Sequence, residues 1–311
     1  MTTREPIIID TDPGQDDAVA ILLALAAHAR LDLRGITAVA GNVGVDLTTA
    51  NALRIVELGG HPNTPVYRGA GQPLLFALDT AEFVCGADGL AGADLPPPAA
   101  KPQAEHAVDF IIRTLRSAPD KSLTLCPLGP LTNLALALRL APDIAAKIKR
   151  IVLMGGAMNL GNMTPAAEYN AYVDPHAAAI VFASGIPIVM MGLHLTLQAI
   201  CSHYEVARIG QLGTATGRAI HGMLTRPRAA GLGTTGHPMH DPCVIAYVLW
   251  PELFEGRDCF VEVETGAGPL RGRTTIDWNG RLKRDPNALV MDTINAPAMF
   301  RRMIDLIATL P

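Results

Sequence analysis

The chain has 311 residues, 49% apolar and only 17% charged, so it is long enough for one large domain or two ordinary ones with a buried core. A formal net charge of -4, without a block of Lys and Arg, argues against nucleic-acid binding through phosphates. The five scattered Cys form no CxxC pair, no signal peptide is visible and no apolar run could span a bilayer, so we expect a cytoplasmic protein without membrane contact.

Short apolar runs alternate with amphipathic segments from residue 7 to residue 191. The apolar runs predict strands over 7–10, 33–40, 123–126, 151–154 and 188–191. The segments that follow them predict helices over 17–28, 46–58, 105–115, 131–140 and 175–183. The strands are apolar throughout rather than alternating, as a sheet buried on both sides requires. The sequence therefore predicts an α/β fold with an open, mostly parallel β-sheet flanked by helices on both faces.

The rest of the chain contributes connections and late additions. The Pro-rich stretch 96–102 predicts a stiff connection, and the Gly-, Thr- and Pro-rich stretch Arg226–Pro238 is a candidate lid. After Phe260 the pattern predicts strands over 261–264 and 273–278 and a closing helix over 297–307. No internal repeat is visible, so we expect a single domain over residues 1–311.

Four carboxylates stand within eight residues where the first predicted strand ends: Asp10, Asp12, Asp16 and Asp17. Carboxylates this close raise one another's pKa unless a cation or a proton compensates their charge. A hard divalent cation is the simplest remedy, because Ca²⁺ and Mg²⁺ prefer oxygen ligands. Turn chemistry and helix capping explain one or two of these residues and leave the others without a reason. The segment therefore predicts an acidic metal pocket.

Several polar or Gly-bearing turns follow the predicted strands. They are 10–17, 41–42, 127–133 and 155–162. In parallel sheets of this kind, ligands bind beyond the carboxyl ends of the strands. Because loops at one sheet edge can converge, we expect these turns to line a single pocket.

The run Asp10–Ala18 resembles the signature of the inosine-uridine preferring nucleoside hydrolases. Further segments agree with that family in order and spacing: 40–42, 86–90, 128–133, 152–156, 167–170, 174–175 and 240–243. The resemblance covers nearly the whole chain, and its first motif is the most specific. It implies a Rossmann-like fold and hydrolysis of the N-glycosidic bond of ribonucleosides to ribose and a free base, with bound Ca²⁺. Relatives are homodimers or homotetramers, so the resemblance implies such an assembly here.

Roles for individual residues follow from the same resemblance. The implied Ca²⁺ ligands are Asp12, Asp17, Asp241 and the backbone carbonyl of Leu128. Asp12 would also be the base that activates a metal-bound water, ahead of an oxocarbenium-like transition state. The positions that match sugar-contacting residues are Asp16, Asn42, Met154, Asn162, Glu168 and Asn170. His240 is the candidate leaving-group acid, because histidine titrates near neutrality.

Two positions depart from the family pattern. Cys85 stands where relatives that cleave pyrimidine nucleosides or several bases usually carry His. A thiol is a poorer acid and a weaker hydrogen-bond donor at neutral pH, so base preference is left open. His194 stands where relatives typically carry Asp, as a supporting partner or as compensation for Cys85. Both are possible contacts on the base side of the pocket.

Two other classes of function fit parts of the sequence. One is a Ca²⁺- and ribose-binding protein in which the changes at Cys85 and His194 have weakened catalysis. The full set of carboxylates argues against it, because a pure sugar binder needs no base. The other is a phosphatase of the haloacid-dehalogenase type, with Asp10 as nucleophile and Asp12 as acid. The paired Asp16 and Asp17 directly after Pro13-Gly14 do not fit that pattern.

Overall fold

A computed structural model describes residues 4–226 and 236–311. Its strands are β1 (Glu5–Thr11), β2 (Leu31–Ala38), β3 (Val66–Arg68), β4 (Leu123–Pro127), β5 (Ile148–Met154), β6 (Ile188–Met191), β7 (Ile200–Ser202), β8 (Gly236–Pro238), β9 (Phe254–Cys259), β10 (Val261–Val263), β11 (Thr274–Ile276) and β12 (Ala288–Ile294). Eight of them form one sheet in the order β3-β2-β1-β4-β5-β6-β12-β9. Neighbouring strands are parallel, except that the edge strand β9 runs antiparallel to β12.

Helices connect and cover the strands. They are α1 (Gln15–Ala26), α2 (Val45–Leu58), α3 (Glu82–Cys85), α4 (Ala107–Ser117), α5 (Thr132–Leu140), α6 (Tyr169–Val173), α7 (Pro175–Phe182), α8 (Leu193–Thr196), α9 (His203–Gly210), α10 (Ala215–Thr225), α11 (Pro242–Leu249) and α12 (Ala296–Ile307). Short 3₁₀ helices cover Pro142–Lys147 and Pro251–Leu253. Within the described residues, no helix has the length and apolar character needed to cross a membrane.

Two apolar cores lie on opposite faces of the sheet. Ile7 and Ile9 belong to the core that contains α1, α11 and α12, whereas Ile8 belongs to the core that contains α4, α5 and α7. Side chains alternate between the faces of a strand, so a strand covered on both sides must be apolar at every position. The prediction of an open, mostly parallel sheet with helices on both faces is confirmed.

The later part of the chain differs from the sequence prediction. The strands predicted over 261–264 and 273–278 form the separate antiparallel pair β10–β11. Strands β9 and β12 were not predicted, although β12 pairs with β6 inside the main sheet. The helices α9, α10 and α11 were also missed. Of the candidate lid Arg226–Pro238, residues 227–235 lie outside the described part, and Gly236–Pro238 is strand β8, which pairs with β7.

The register of the sheet brings the predicted loops together. Asp10, near the end of β1, pairs with Thr37 of β2 on one side and with Pro127 of β4 on the other. The turns that leave β1, β2 and β4 therefore start at the same level of the sheet edge. Helix α1 begins directly after Gly14, whose N–H donates to the Asp17 carboxylate at 3.0 Å. Asp17 thus caps the helix, as an acidic residue in the first turn often does.

Candidate active site

A cavity of about 500 Å³ opens at the carboxyl edge of the sheet. Its lining includes all the residues to which the sequence assigned metal binding, sugar binding and proton transfer: Asp12, Asp16, Asp17, Asn42, Leu128, Met154, Asn162, Glu168, Asn170, His240 and Asp241. The possible base-side residues Cys85 and His194 are not part of that lining. Residues that lie more than 200 positions apart in the chain therefore meet in one site, as expected for the edge of a parallel sheet.

The Asp12 carboxylate lies between two glycines. A Cβ atom on Gly41 would lie 2.0 Å from Asp12 Oδ2, and one on Gly129 would lie 2.4 Å from Asp12 Oδ1. The backbone can approach the carboxylate this closely only where no side chain intervenes. The N–H of Asn42 donates to Oδ2 at 2.7 Å. The loops after β2 and β4 therefore hold Asp12 in a fixed position.

Three further carboxylates meet beside Asp12. Oxygen atoms of Asp16, Asp17 and Asp241 all lie within 4.8 Å of one another. Asp12 was expected among the metal ligands, but it is outside this closest group and Asp16 is inside it. Thr11 and Asn42 donate to the Asp17 carboxylate at 2.5 and 3.3 Å. The group is an all-oxygen donor set of the kind that a hard divalent cation prefers.

The charges of this group are not balanced within the cavity. None of the residues that line it is Lys or Arg in the described part of the chain. Burial, with the neighbouring charge of Asp17, raises the pKa of Asp12 well above its usual value. Burial and Asp16 likewise raise the pKa of Asp17, and burial together with Asp16 raises the pKa of Asp241. Buried carboxylates without a counter-charge favour a bound proton or a bound cation.

Leu128 lines the same cavity, and its carbonyl oxygen accepts from a second lining residue, Asn170. Asn170 Nδ2 donates to this oxygen at 2.6 Å and to the carbonyl oxygen of Met154 at 3.2 Å. A carbonyl oxygen has two lone pairs, so Leu128 keeps one for a cation. Because the backbone supplies the oxygen, the Leu side chain at this position does not prevent a ligand role.

Glu168 also lines the cavity, and three backbone N–H groups hold its carboxylate. It accepts from the N–H groups of Gly156, Asn170 and Ala171 at 2.8, 2.8 and 3.1 Å. Burial nevertheless raises its pKa to about 7, because desolvation outweighs these three bonds. The backbone holds this carboxylate rigidly at the cavity surface, where its remaining lone pair can accept a hydrogen bond from a hydroxyl group.

His240 and Asn162 are held by neighbouring polar groups. The Thr196 hydroxyl and His240 Nδ1 lie 2.7 Å apart, which fixes the imidazole ring against the cavity. The Asn162 side-chain oxygen accepts from the N–H of Tyr169 at 2.8 Å. Thr196 is a polar partner that the sequence pattern did not reveal.

Cys85 and His194 lie near the site but outside its lining. The Cys85 thiol is only 3% exposed and donates to the carbonyl of Ala81 at 3.3 Å. Burial, with the charge of Asp12, raises the pKa of this thiol to about 12. Burial lowers the pKa of His194, which lies at the start of α8 beside Gly192. The residues of α8 that line the cavity include Leu193 rather than His194.

Most of the apolar lining was not predicted from the sequence. These residues include Phe83, Val84, Leu160, Met163, Leu193 and Leu197. Several stand in loops or very short helices, where no periodic pattern reveals which side chains turn inward. Tyr169 also lines the cavity, and its place between Glu168 and Asn170 in a matched segment was a usable signal.

A parallel sheet covered by helices on both faces, with a cavity at its carboxyl edge that buried carboxylates line, is the architecture of an α/β enzyme. Residues 7–301 match the family described as Inosine-uridine preferring nucleoside hydrolase. The chain belongs to this family, so it is a hydrolase that acts on N-glycosyl compounds, as the sequence predicted.

Individual relatives agree with this assignment. The chain is 44% identical over 307 residues to "Pyrimidine-specific ribonucleoside hydrolase RihA" of Shewanella sp. (strain MR-7), which covers 97% of this chain and 96% of the relative. The structure of this chain is similar to that of a plant nucleoside hydrolase, with a TM-score of 0.91 and 31% sequence identity. The match covers 99% of this chain and 100% of the other. The structure is also similar to that of a purine-preferring ribonucleoside hydrolase from Gardnerella vaginalis, with a TM-score of 0.90 at 33% identity over 98% of both chains.

Proposed function

We propose that this enzyme hydrolyses the N-glycosidic bond of ribonucleosides to ribose and a free nucleobase, and that it needs Ca²⁺ to do so. The observation that carries the proposal is the group of Asp16, Asp17 and Asp241 oxygens within 4.8 Å, in a cavity whose described lining lacks Lys and Arg. Buried carboxylates are costly unless a cation or a proton compensates them.

The residues present fit a calcium ion. Carboxylates of Asp12, Asp17 and Asp241 and the carbonyl of Leu128 are the ligands we propose, with Asp16 close enough to join them. All donors are oxygen, and none is the nitrogen or sulfur that a transition metal would favour. When bound, the cation supplies Lewis acidity toward a water molecule and toward the sugar diol.

Asp12 is the proposed general base. Its two carboxylate oxygens are held between Gly41 and Gly129, and the N–H of Asn42 leaves the orientation of the group little freedom. A buried carboxylate is more basic than an exposed one, so Asp12 can accept a proton from the attacking water. Fixed geometry lowers the entropic cost of that proton transfer.

The remaining polar wall holds the sugar. Asp16, Asn162, Glu168 and Asn170 are the proposed partners of the ribose hydroxyls, with Asn42 beside them and Met154 packed under the ring. As the glycosidic bond breaks, positive charge develops on the ribose ring. Preorganised oxygen atoms near that ring stabilise the charge more in the transition state than in the bound substrate.

His240 is the proposed acid for the departing base. Its ring lies on the cavity wall with Nδ1 against the Thr196 hydroxyl, so a second orientation of the ring would break that contact. An imidazolium can donate a proton at neutral pH, which a poor leaving group requires.

The alternative functions have less support. In a phosphatase, Asp10 would be the nucleophile, but its side chain is 4% exposed, accepts from Thr37 and Asn133, and is not part of the cavity lining. A protein that only binds a sugar would not need the Asp12 carboxylate to be held in one orientation as a general base. Among the named relatives, RihA is described as pyrimidine-specific and the Gardnerella vaginalis enzyme as purine-preferring, so the similarity leaves the base preference of this chain open.

A substrate panel tests the proposal. Uridine, inosine, their 2′-deoxy forms and p-nitrophenyl phosphate would be incubated with purified enzyme, and reducing sugar and phosphate would be measured. We expect sugar release from at least one ribonucleoside, much less from its deoxy form, and no phosphate. EDTA should abolish the activity and Ca²⁺ should restore it. Turnover that survives EDTA would refute the metal requirement.

We also propose a homodimer or homotetramer in the cytoplasm, as the family resemblance implies. The five Cys are all free thiols, which fits a reducing compartment. Light scattering during size-exclusion chromatography measures the assembly directly, and a monomer at micromolar concentration would contradict it. Residues 1–311 should unfold in one transition if they form one domain.

A further inference from the structure

Residues 74–85, called the wall because three of them line the cavity, are held in place by residues outside the cavity. This segment runs from the loop after β3 into α3, and Ala81, Phe83 and Val84 of it line the cavity. It has no regular structure before Glu82. At its ends, the N–H of Leu74 donates to Asp174 at 2.9 Å and the N–H of Ala81 donates to the carbonyl of Asn42 at 2.9 Å. Its middle is held by different contacts.

Asp79 connects the middle of the wall to two other elements. The Tyr169 hydroxyl, on the cavity side, donates to the Asp79 carbonyl at 2.8 Å. Arg271 Nη1 lies 3.7 Å from the Asp79 carboxylate. Arg271 belongs to the turn between β10 and β11, and it is not part of the cavity lining.

The Arg271 side chain is itself rigidly held. Its guanidinium carbon lies 3.9 Å from the ring centroid of Phe76 and 4.1 Å from that of Tyr172. Its Nε donates to the carbonyl of Tyr172 at 2.9 Å and its Nη2 donates to the carbonyl of Val173 at 3.2 Å. The side chain is only 12% exposed, so these interactions are weakly screened by solvent.

We propose that Arg271 is a positioning residue for the reaction, acting through Phe76 and Asp79 on the wall and on Tyr169. It joins the wall to α6, whose first residues include Tyr169 and Asn170 in the cavity. Thr274, the first residue of β11, makes a second contact of this kind, because its Oγ1 accepts from the N–H of Ala157 at 2.8 Å in the loop that precedes Leu160 and Asn162. The β10–β11 pair is therefore an external brace on two walls of the cavity.

This role rests on the proposed hydrolysis of ribonucleosides and concerns substrate binding more than chemistry. A wall that is ordered before binding costs the substrate less entropy. Without Arg271, the substrate must order the wall itself. We expect Arg271→Met to raise KM about tenfold while kcat changes less than about threefold, the pattern of lost uniform binding. Met keeps the apolar contact with the rings and removes the charge and the donors.

Matched variants make the test specific. Arg271→Lys keeps the charge near Asp79 but loses the planar donors, so its KM should lie between wild type and Arg271→Met. Tyr169→Phe removes the other bond to Asp79, and its effect on KM should be less than additive with that of Arg271→Met. Arg257 is the control, because its guanidinium also contacts a ring, that of Trp278 at 4.7 Å, outside the cavity lining. Arg257→Met should leave KM unchanged.

Hydrogen exchange tests the brace without substrate. This measurement therefore gives a result even if the enzyme cleaves no nucleoside, and so separates a failure of this proposal from a failure of the proposed function. In Arg271→Met, the amides of Leu74 and Ala81 should exchange faster, while amides of the central strand β1 keep wild-type protection. An unchanged KM in a folded Arg271→Met enzyme would overturn the proposal. Unchanged exchange at Leu74 and Ala81, or an equal rise of KM in Arg257→Met, would overturn it as well.

Discussion

The main-chain N–H of Asn42 donates to the Asp12 carboxylate at 2.7 Å, and the Asn42 side chain donates to Asp17 at 3.3 Å. Asn42, in the loop after β2, therefore contacts two carboxylates that follow β1. Its backbone and amide donors face negative charge that no Lys or Arg of the described cavity lining balances. Neutral donors orient such carboxylates but do not neutralise them, so the site remains ready for a cation.

Replacing Asp12 by Asn should separate activity from stability. The variant loses the proposed base, so kcat should fall about 10³-fold, within the range of a lost general base. Where the pH is high enough for Asp12 to be deprotonated, the variant also removes one charge from a repelling group, so the chelated variant should there melt a few degrees above chelated wild type. Steady-state kinetics and thermal melts in EDTA measure the two effects.

The exposed Asp46 supplies the control for this experiment. Its side chain is 84% exposed and pairs with Arg68, outside the cavity lining. Asp46→Asn should change neither kcat nor the melting temperature appreciably. Wild-type turnover in Asp12→Asn would remove Asp12 from the role of base.

Without Ca²⁺, the protein should lose stability as pH rises from about 4.5 to about 7. Burial raises the folded-state pKa of Glu168 from 4.5 to about 7, so between these values the folded state holds a proton that the unfolded state has released. Stability therefore falls with rising pH, by about 3 kcal/mol for this group alone. The raised pKa values of Asp12, Asp17 and Asp241 act in the same direction.

Calcium should oppose this loss, because the deprotonated carboxylates are the proposed ligands. The difference in melting temperature between calcium-loaded and chelated protein should thus widen as pH rises. Glu168→Gln should reduce the pH dependence of the chelated protein, and the part that remains should come from Asp12, Asp17 and Asp241. Melts over this pH range measure both effects, and a calcium effect that is constant with pH would contradict the ligand assignment.

The sequence predicted the first half of the fold well because its signal is local. Ile7, Ile8 and Ile9 are apolar in succession because both faces of β1 are covered, and the same holds for the neighbouring strands. Strand β12 also has an apolar run, at 288–291, which the sequence prediction missed, and its place beside β6 depends on pairing across about a hundred residues. Helix α11 is buried along its whole length, and an apolar run without periodicity does not distinguish a helix from a strand.

The candidate site likewise has residues that the sequence predicted and residues that it did not. The place of Asp12, Asp17 and Asp241 in one cavity could be predicted because they stand in motifs that resemble those of the family. Their roles as metal ligands stay a proposal, supported by the need of crowded carboxylates for a cation or a proton. The closeness of Asp16 to Asp241 and the distance of Asp12 from that pair depend on side-chain directions that no motif encodes. Phe83 and Leu160 line the cavity from irregular segments, where an apolar residue has no pattern to mark it.

His240→Ala should slow substrates according to their leaving groups. Uridine and inosine release bases that need a proton, whereas p-nitrophenyl riboside releases a stable anion. We expect kcat to fall about 10²-fold or more on the nucleosides and only slightly on the nitrophenyl riboside. Thr196→Val, which removes the contact with His240 Nδ1, should give a smaller loss with the same selectivity. Equal losses on both kinds of substrate would exclude His240 as the acid.

Cys85→Ala should leave kcat/KM on uridine and on inosine within about twofold of wild type. The thiol donates to the carbonyl of Ala81, is 3% exposed and does not line the cavity, so it offers no contact to a bound base. Its raised pKa, to about 12, also prevents proton transfer at neutral pH. Removing one buried sulfur costs about 1 kcal/mol of folding stability, which a melt would detect as a small decrease. A change in the uridine-to-inosine ratio of kcat/KM would instead show that residue 85 reaches the base, the possible base-side contact that the family resemblance implied for Cys85.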